Sequence, residues 1–157
     1  MAKQNASALK LIAESAMRHQ ICNHSWSHPN FKKLADAKFK EEIEDTQKEI
    51  EDTTSMCMLR ILRPPYGAIT AGQRQIAKDM GYRLEGWTVD PLDWKNRDAK
   101  KVSKAILDSA KDGSVVLSHD IYASTVEAMK TVVPALLAKY TLGTISQLNL
   151  FTTQALG

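Results

Sequence analysis

A chain of 157 residues is the size of one domain, at about 150 residues each, and is long enough to bury most of a real core. Its 43% hydrophobic and 25% charged content, with 7 Gly and 5 Pro, excludes a disordered, collagen-like or low-complexity chain. Twenty-one Lys and Arg against 18 Asp and Glu leave a net charge of +3, too small and too scattered to predict a nucleic-acid partner.

In chain order, the polar start Met1 to Asn5 is not a signal peptide, and no apolar run approaches the roughly 18 residues of a membrane span, so the chain is expected to be soluble. Ser7 to Arg18 spaces Leu9, Leu11, Ile12, Ala13 and Ala16 as in a helix, and Gln20-Ile21-Cys22 reads as a short buried strand. Cys22 and Cys57 have no CxxC spacing, which excludes a disulfide framework or a Cys-rich zinc module and predicts small buried hydrophobes. From Asn30 to Ser55 the residues Phe31, Leu34, Phe39, Ile43 and Ile50 mark one apolar face of a helical region whose Lys and Glu face solvent. Met58 to Leu62 is a predicted strand ended by Arg63-Pro64-Pro65-Tyr66-Gly67, and Thr70 caps a helix that stops at Gly81.

Tyr82 to Val89 alternates as a strand and leads into Asp90-Pro91-Leu92-Asp93-Trp94. Asp98 is the expected N-cap of a helix ending near Gly113, and Ser114 to Ser118 is a β-branched strand delivering His119 and Asp120. A helix over Ser124 to Tyr140 and a last strand over Thr141 to Ile145 complete the pattern. Strands alternating with helices predict an α/β domain with a mainly parallel sheet, whose chemistry sits in loops after the strands.

Four segments carry side chains suited to chemistry. In His24-Ser25-Trp26-Ser27-His28 two imidazoles four residues apart on a turn can approach one metal at about 2.0–2.1 Å. The stiff Arg63 to Gly67 segment can hold backbone N–H groups and a guanidinium towards a pocket. Asp93-Trp94 supplies a carboxylate to orient a histidine beside a ring that can stack on a sugar. His119, at a strand end, is placed as a general acid or base. Each segment alone has an ordinary structural reading: a chance histidine spacing, a rigid turn, a surface loop and a strand-end histidine.

Their order in the chain is the specific signal. The series from His24 to Pro29, Arg63 to Gly67, Asp90 to Arg97 and Leu117 to Asp120 closely resembles the polysaccharide deacetylases of the NodB-homology family, carbohydrate esterase family four. The resemblance runs from about Ser7 to the carboxyl end and treats residues 1–157 as a single domain. It implies a distorted (β/α) barrel and metal-assisted removal of N-acetyl groups from N-acetylglucosamine units of peptidoglycan or a chitin-like glycan. By the same resemblance His24 and His28 are ligands of a divalent metal, commonly zinc, and Tyr66 offers its backbone N–H to the oxyanion. Asp93 tunes His119, which protonates the leaving group, and Arg63 positions the catalytic base. Pro65, Trp94 and Leu117 line the substrate groove and acetyl pocket. An O-acetyl xylan esterase and an inactive glycan-binding remnant are the alternatives.

The family's Thr-Phe-Asp-Asp motif, which supplies the base and the third metal ligand, has no counterpart, since the sequence contains no Asp-Asp pair. The expected fold is therefore a barrel truncated at its N-terminus, missing its first two strands. Such an open barrel predicts a homo-oligomer or a complex with the missing segment. Family members work outside the cytoplasmic membrane, so an extracellular or cell-wall location is the expectation.

Overall fold

The computed structural model describes residues 6–14, 19–54 and 59–148. These fall into two compact units, one ending at Gly86 and the other beginning at Trp87.

The first unit contains α1 (Ala6–Glu14), a 3-10 turn over Phe31–Lys33, α2 (Asp36–Thr54), β1 (Ile61–Leu62), α3 (Ala71–Asp79) and β2 (Arg83–Leu84). Helix α3 starts where Thr70 predicts it. The Thr70 hydroxyl accepts from Gln73 N while the Gln73 side chain accepts from Thr70 N, satisfying two orphan donors at once. Gln73 is itself buried and its amide reaches the Phe31 carbonyl at 2.7 Å, which ties α3 to the 3-10 turn. Phe31 and Phe39 meet edge to face and pack with Ile43, Leu62, Ile69, Ala77 and Tyr82. Fully burying each large side chain of this kind contributes about 1.5–3 kcal/mol.

β1 and β2 pair in parallel, as expected, but over only two residues each. Arg83 N bonds Arg60 O and Glu85 N bonds Leu62 O. The next rung would need an N–H from Pro64, which has none, so the ladder stops. This is why the strand predicted over Tyr82 to Val89 is cut short at Leu84. In place of the buried strand predicted at Gln20 to Cys22 there is a bridge from Asn23 to Leu62, in which Asn23 N donates to Ile61 O and Asn23 O accepts from Arg63 N. Cys22 is only partly buried, and burial nonetheless raises its thiol pKa, against the lowering effect of Arg63 and Arg83. Ala16, Arg18, Ser55, Cys57 and Met58 lie outside the described residues.

The second unit contains α4 (Asp93–Asn96), α5 (Ala99–Ser109), α6 (Ala123–Leu137) and α7 (Ile145–Leu148). Asp98 caps α5 through Lys101 N, as its position predicts. Val102 and Ile106 of α5 pack on Ala128 and Val132 of α6. The Ser114 to Ser118 strand is reduced to a parallel bridge between Val116 and Val89, with Val89 N bonding Val115 O and Leu117 N bonding Val89 O. The strand predicted over Thr141 to Ile145 is not formed. Thr144 instead caps α7, its hydroxyl accepting from Gln147 N and its own N–H donating to Gln147 Oε1. A sheet edge at Thr141 to Ile145, one premise of the expected oligomer, is therefore absent. Among the described residues no helix is long and apolar enough to cross a membrane.

Candidate active-site residues

In the first unit the histidine turn is held from below by α2. Asn23 is fully buried; its Oδ1 accepts from Ser25 N and its Nδ2 donates to Ile43 O at 2.9 Å. Glu42, 2% exposed, accepts from both Ser27 N at 2.8 Å and Ser27 Oγ at 2.6 Å. Ser25 Oγ accepts from His28 N. These bonds hold two non-glycine residues in the left-handed region, Ser25 at φ 67° and His28 at φ 60°, where side chains rarely sit. The result sets the His24 and His28 rings 5.0 Å apart and nearly perpendicular.

His24 Nδ1 lies 2.5 Å from the Arg63 carbonyl, which makes Nδ1 the protonated nitrogen and Nε2 the one whose lone pair could take a metal. His28 Nδ1 lies 3.2 Å from Tyr66 Oη. The chemistry of this donor set fits two positions of a divalent-metal site. Among the described residues no third His, Cys, Asp or Glu joins the pair, whereas a catalytic zinc site has three protein ligands.

Arg63 is half-buried, and burial lowers its pKa; no carboxylate among the described residues pairs with it. Pro64 and Pro65 are buried and stiffen the turn that follows. Tyr66 takes φ 59° within a 3-10 turn over Pro65–Gly67; its N–H belongs to the first turn, where no carbonyl of the turn can accept it, and nothing among the described residues does. Gly67 continues at φ 64°, a conformation for which glycine is suited.

In the second unit Asp93 is completely buried, and both its oxygens are doubly used. Oδ1 accepts from Trp94 N and from His119 Nδ1, each at 2.8 Å. Oδ2 accepts from His119 N at 2.7 Å and Thr125 Oγ1 at 2.9 Å. Burial alone would raise the Asp93 pKa; the His119 and Thr125 hydrogen bonds together outweigh it and hold the carboxyl below its usual range. An ionised carboxylate only accepts, so Nδ1 of His119 carries a proton and Nε2 is the nitrogen that could exchange one. Leu117 is buried and Trp94 is 47% exposed, at the start of the short α4 that Leu92, itself at φ 53°, introduces.

Three residues in these networks escaped the sequence reading: Asn23, Glu42 and Thr125. A signal was present for two of them. Glu42 lies on the buried stripe of α2 with Phe39, Ile43 and Ile50, and Thr125 lies on that of α6 with Ala128 and Val132. A polar residue at a stripe position must find buried partners.

The family model for polysaccharide deacetylase matches residues 1–84. The chain is 36% identical to the peptidoglycan-N-acetylglucosamine deacetylase PgdA of Listeria monocytogenes over 92% of its own length, and spans 30% of that protein. The solved structure of peptidoglycan deacetylase PdaC from Bacillus subtilis is similar at a TM-score of 0.86 and 33% identity, with 95% of this chain and 71% of that one covered. A CE4-family pseudoenzyme from Bacillus anthracis is similar at a TM-score of 0.85 and 30% identity, covering 94% and 51%. The chain has the fold of these proteins and spans about a third of the length of the curated relative.

Proposed function

Because the chain belongs to the polysaccharide deacetylase family, we propose that it serves the removal of N-acetyl groups from N-acetylglucosamine units of peptidoglycan or a chitin-like glycan. The observation that carries this reading is the buried Asp93 carboxylate bonded at 2.8 Å to His119 Nδ1, the pairing a general acid needs. The steps assigned to this chain follow from its own donors. The Tyr66 N–H donates to the oxyanion that develops on the acetyl carbonyl. Asp93 keeps the His119 ring in one orientation, from which Nε2 passes a proton to the departing amine. Trp94 offers an exposed face for a sugar ring and Leu117 contributes apolar wall to the acetyl group, while Pro65 stiffens the turn that carries Tyr66. His24 and His28 would hold a divalent metal, zinc in our proposal, whose chemistry there would be Lewis-acid polarisation of the carbonyl. The glycan substrate implies work outside the cytoplasmic membrane.

A second reading, a glycan-binding protein without turnover, is favoured by one observation: the half-buried Arg63 guanidinium has no carboxylate beside it among the described residues, where the family positions its base. Release of free amine from an acetylated chitooligosaccharide, with and without added zinc, separates the two. The chain alone is expected to turn over very slowly, and a polypeptide carrying the Asp-Asp strand is expected to restore turnover, which His119→Ala then lowers about 10²–10⁴-fold. Robust turnover by the chain alone refutes a base supplied from elsewhere. No turnover in the mixture, with glycan still bound, refutes the catalytic reading in favour of the second.

A further inference from the structure

We infer that Arg97 is a subsite for a carboxylate on the glycan, namely that of an N-acetylmuramic acid residue next to the sugar being deacetylated. This deepens the deacetylase reading and rests on it. Four observations in the second unit converge on this side chain.

Arg97 closes α4 in the left-handed conformation, φ 49° and ψ 32°, where helices ordinarily place glycine or asparagine. An arginine held there at a backbone cost points to a use for its side chain. The guanidinium is fixed twice: Nε donates to Trp94 O at 3.1 Å, and Cζ lies 3.9 Å over the centroid of the Tyr122 ring. Arg97 is exposed, and with Nε and one face engaged its two Nη groups remain as a planar fork, the geometry that takes a carboxylate with two parallel bonds.

No carboxylate of the protein occupies that edge among the described residues. The sequence neighbour Asp98 is committed to capping α5 through Lys101 N. Lys95, Lys100 and Lys101 surround Arg97 in sequence, so the segment is cationic while Asp93 is buried. Finally, the Tyr122 ring that carries the guanidinium stands 6.1 Å from the His119 ring, which ties the charge to the proposed general acid through one shared ring. A neutral chitin-like glycan has nothing to place there. N-acetylmuramic acid, every second sugar of peptidoglycan, carries a lactyl group whose carboxylate is free on strands stripped of stem peptide.

The test is binding, by calorimetry, of three tetrasaccharides to the full chain: chitotetraose, a peptide-free glycan alternating N-acetylglucosamine and N-acetylmuramic acid, and the methyl ester of the latter. The free acid is expected to bind about three- to tenfold more tightly than chitotetraose, with the advantage lost in the ester and in 0.5 M salt (about 4 Å screening length). In Arg97→Gly, which suits the left-handed backbone and is expected to keep or raise the unfolding temperature, the acid and chitotetraose bind alike. Arg97→Lys retains only part of the preference, having charge without the fork. Equal binding of acid and ester, or a preference that survives Arg97→Gly, overturns the inference alone. Failure of all three to bind overturns the glycan reading itself, and this inference with it.

Discussion

Replacing Asp93 by asparagine removes one acceptor from a site in which four donors converge. Asparagine offers one carbonyl oxygen and one amino group, and the amino group must face either the Oδ1 pair, Trp94 N–H and His119 Nδ1–H, or the Oδ2 pair, His119 N–H and Thr125 hydroxyl. The hydroxyl can rotate and the imidazole can change tautomer, but a backbone N–H cannot. In either orientation one buried N–H is therefore orphaned, at about 1–3 kcal/mol, and charge-assisted bonds weaken besides. Asp93→Asn is expected to lose about 2–4 kcal/mol in urea unfolding at pH 7, and Thr125→Val, which removes one donor of the four, about 1–2 kcal/mol. The pH dependence has a definite sign. The folded pKa of Asp93 lies below its unfolded value, so the stabilisation is present at neutral pH. It begins to fall near pH 4, the unfolded carboxylate range, and is lost as the pH drops through the folded pKa. The gap between wild type and Asp93→Asn should accordingly narrow below pH 4. An Asp93→Asn variant within about 0.5 kcal/mol of wild type at pH 7 refutes the four-donor account, being the scatter of an ordinary surface change.

Glu42→Ala is expected to cost about 1–3 kcal/mol and to weaken zinc binding at His24 and His28, read by a chromophoric chelator in competition. Glu42→Gln should be milder, since the Ser27 hydroxyl can rotate to accept from the new amino group while Ser27 N–H keeps its oxygen. Equal effects of the two would contradict this geometry. At Tyr66, glycine should leave the unfolding free energy within about 1 kcal/mol of wild type, and valine should lower it by more, because a β-branched residue is a genuine outlier at φ 59°. Ile106→Ala, fully buried between α5 and α6, is expected to cost about 2–5 kcal/mol in the same assay; a loss below 1 kcal/mol would mean the site collapses around the cavity.

Local chemistry was readable in the sequence wherever it is decided within a few residues. Thr70 with Gln73 and Asp98 with Lys101 are caps because a short polar side chain reaches N–H groups two or three residues on, whatever lies elsewhere. The order of the histidine, proline, aspartate and His119 segments likewise carried the family, since each needs particular residue types at fixed spacing. Strands were a different matter. A strand is defined by what pairs with it, and the missing N–H of Pro64 on one segment shortens the strand at Tyr82 on another. Thr141 to Ile145 has strand composition, yet the Thr144 and Gln147 pair makes Ile145 the start of a helix.

The sequence by itself determined the caps, the apolar stripes and the order of the functional segments, all of which follow from spacing along the chain. Tertiary structure alone decided which distant groups complete them. Thr125 joins Asp93 across 32 residues, and Glu42 meets Ser27 across 15. A buried carboxylate is tolerable only when every lone pair is satisfied, and the donors that satisfy it are chosen by how helices and bridges pack, a long-range outcome that no local pattern records.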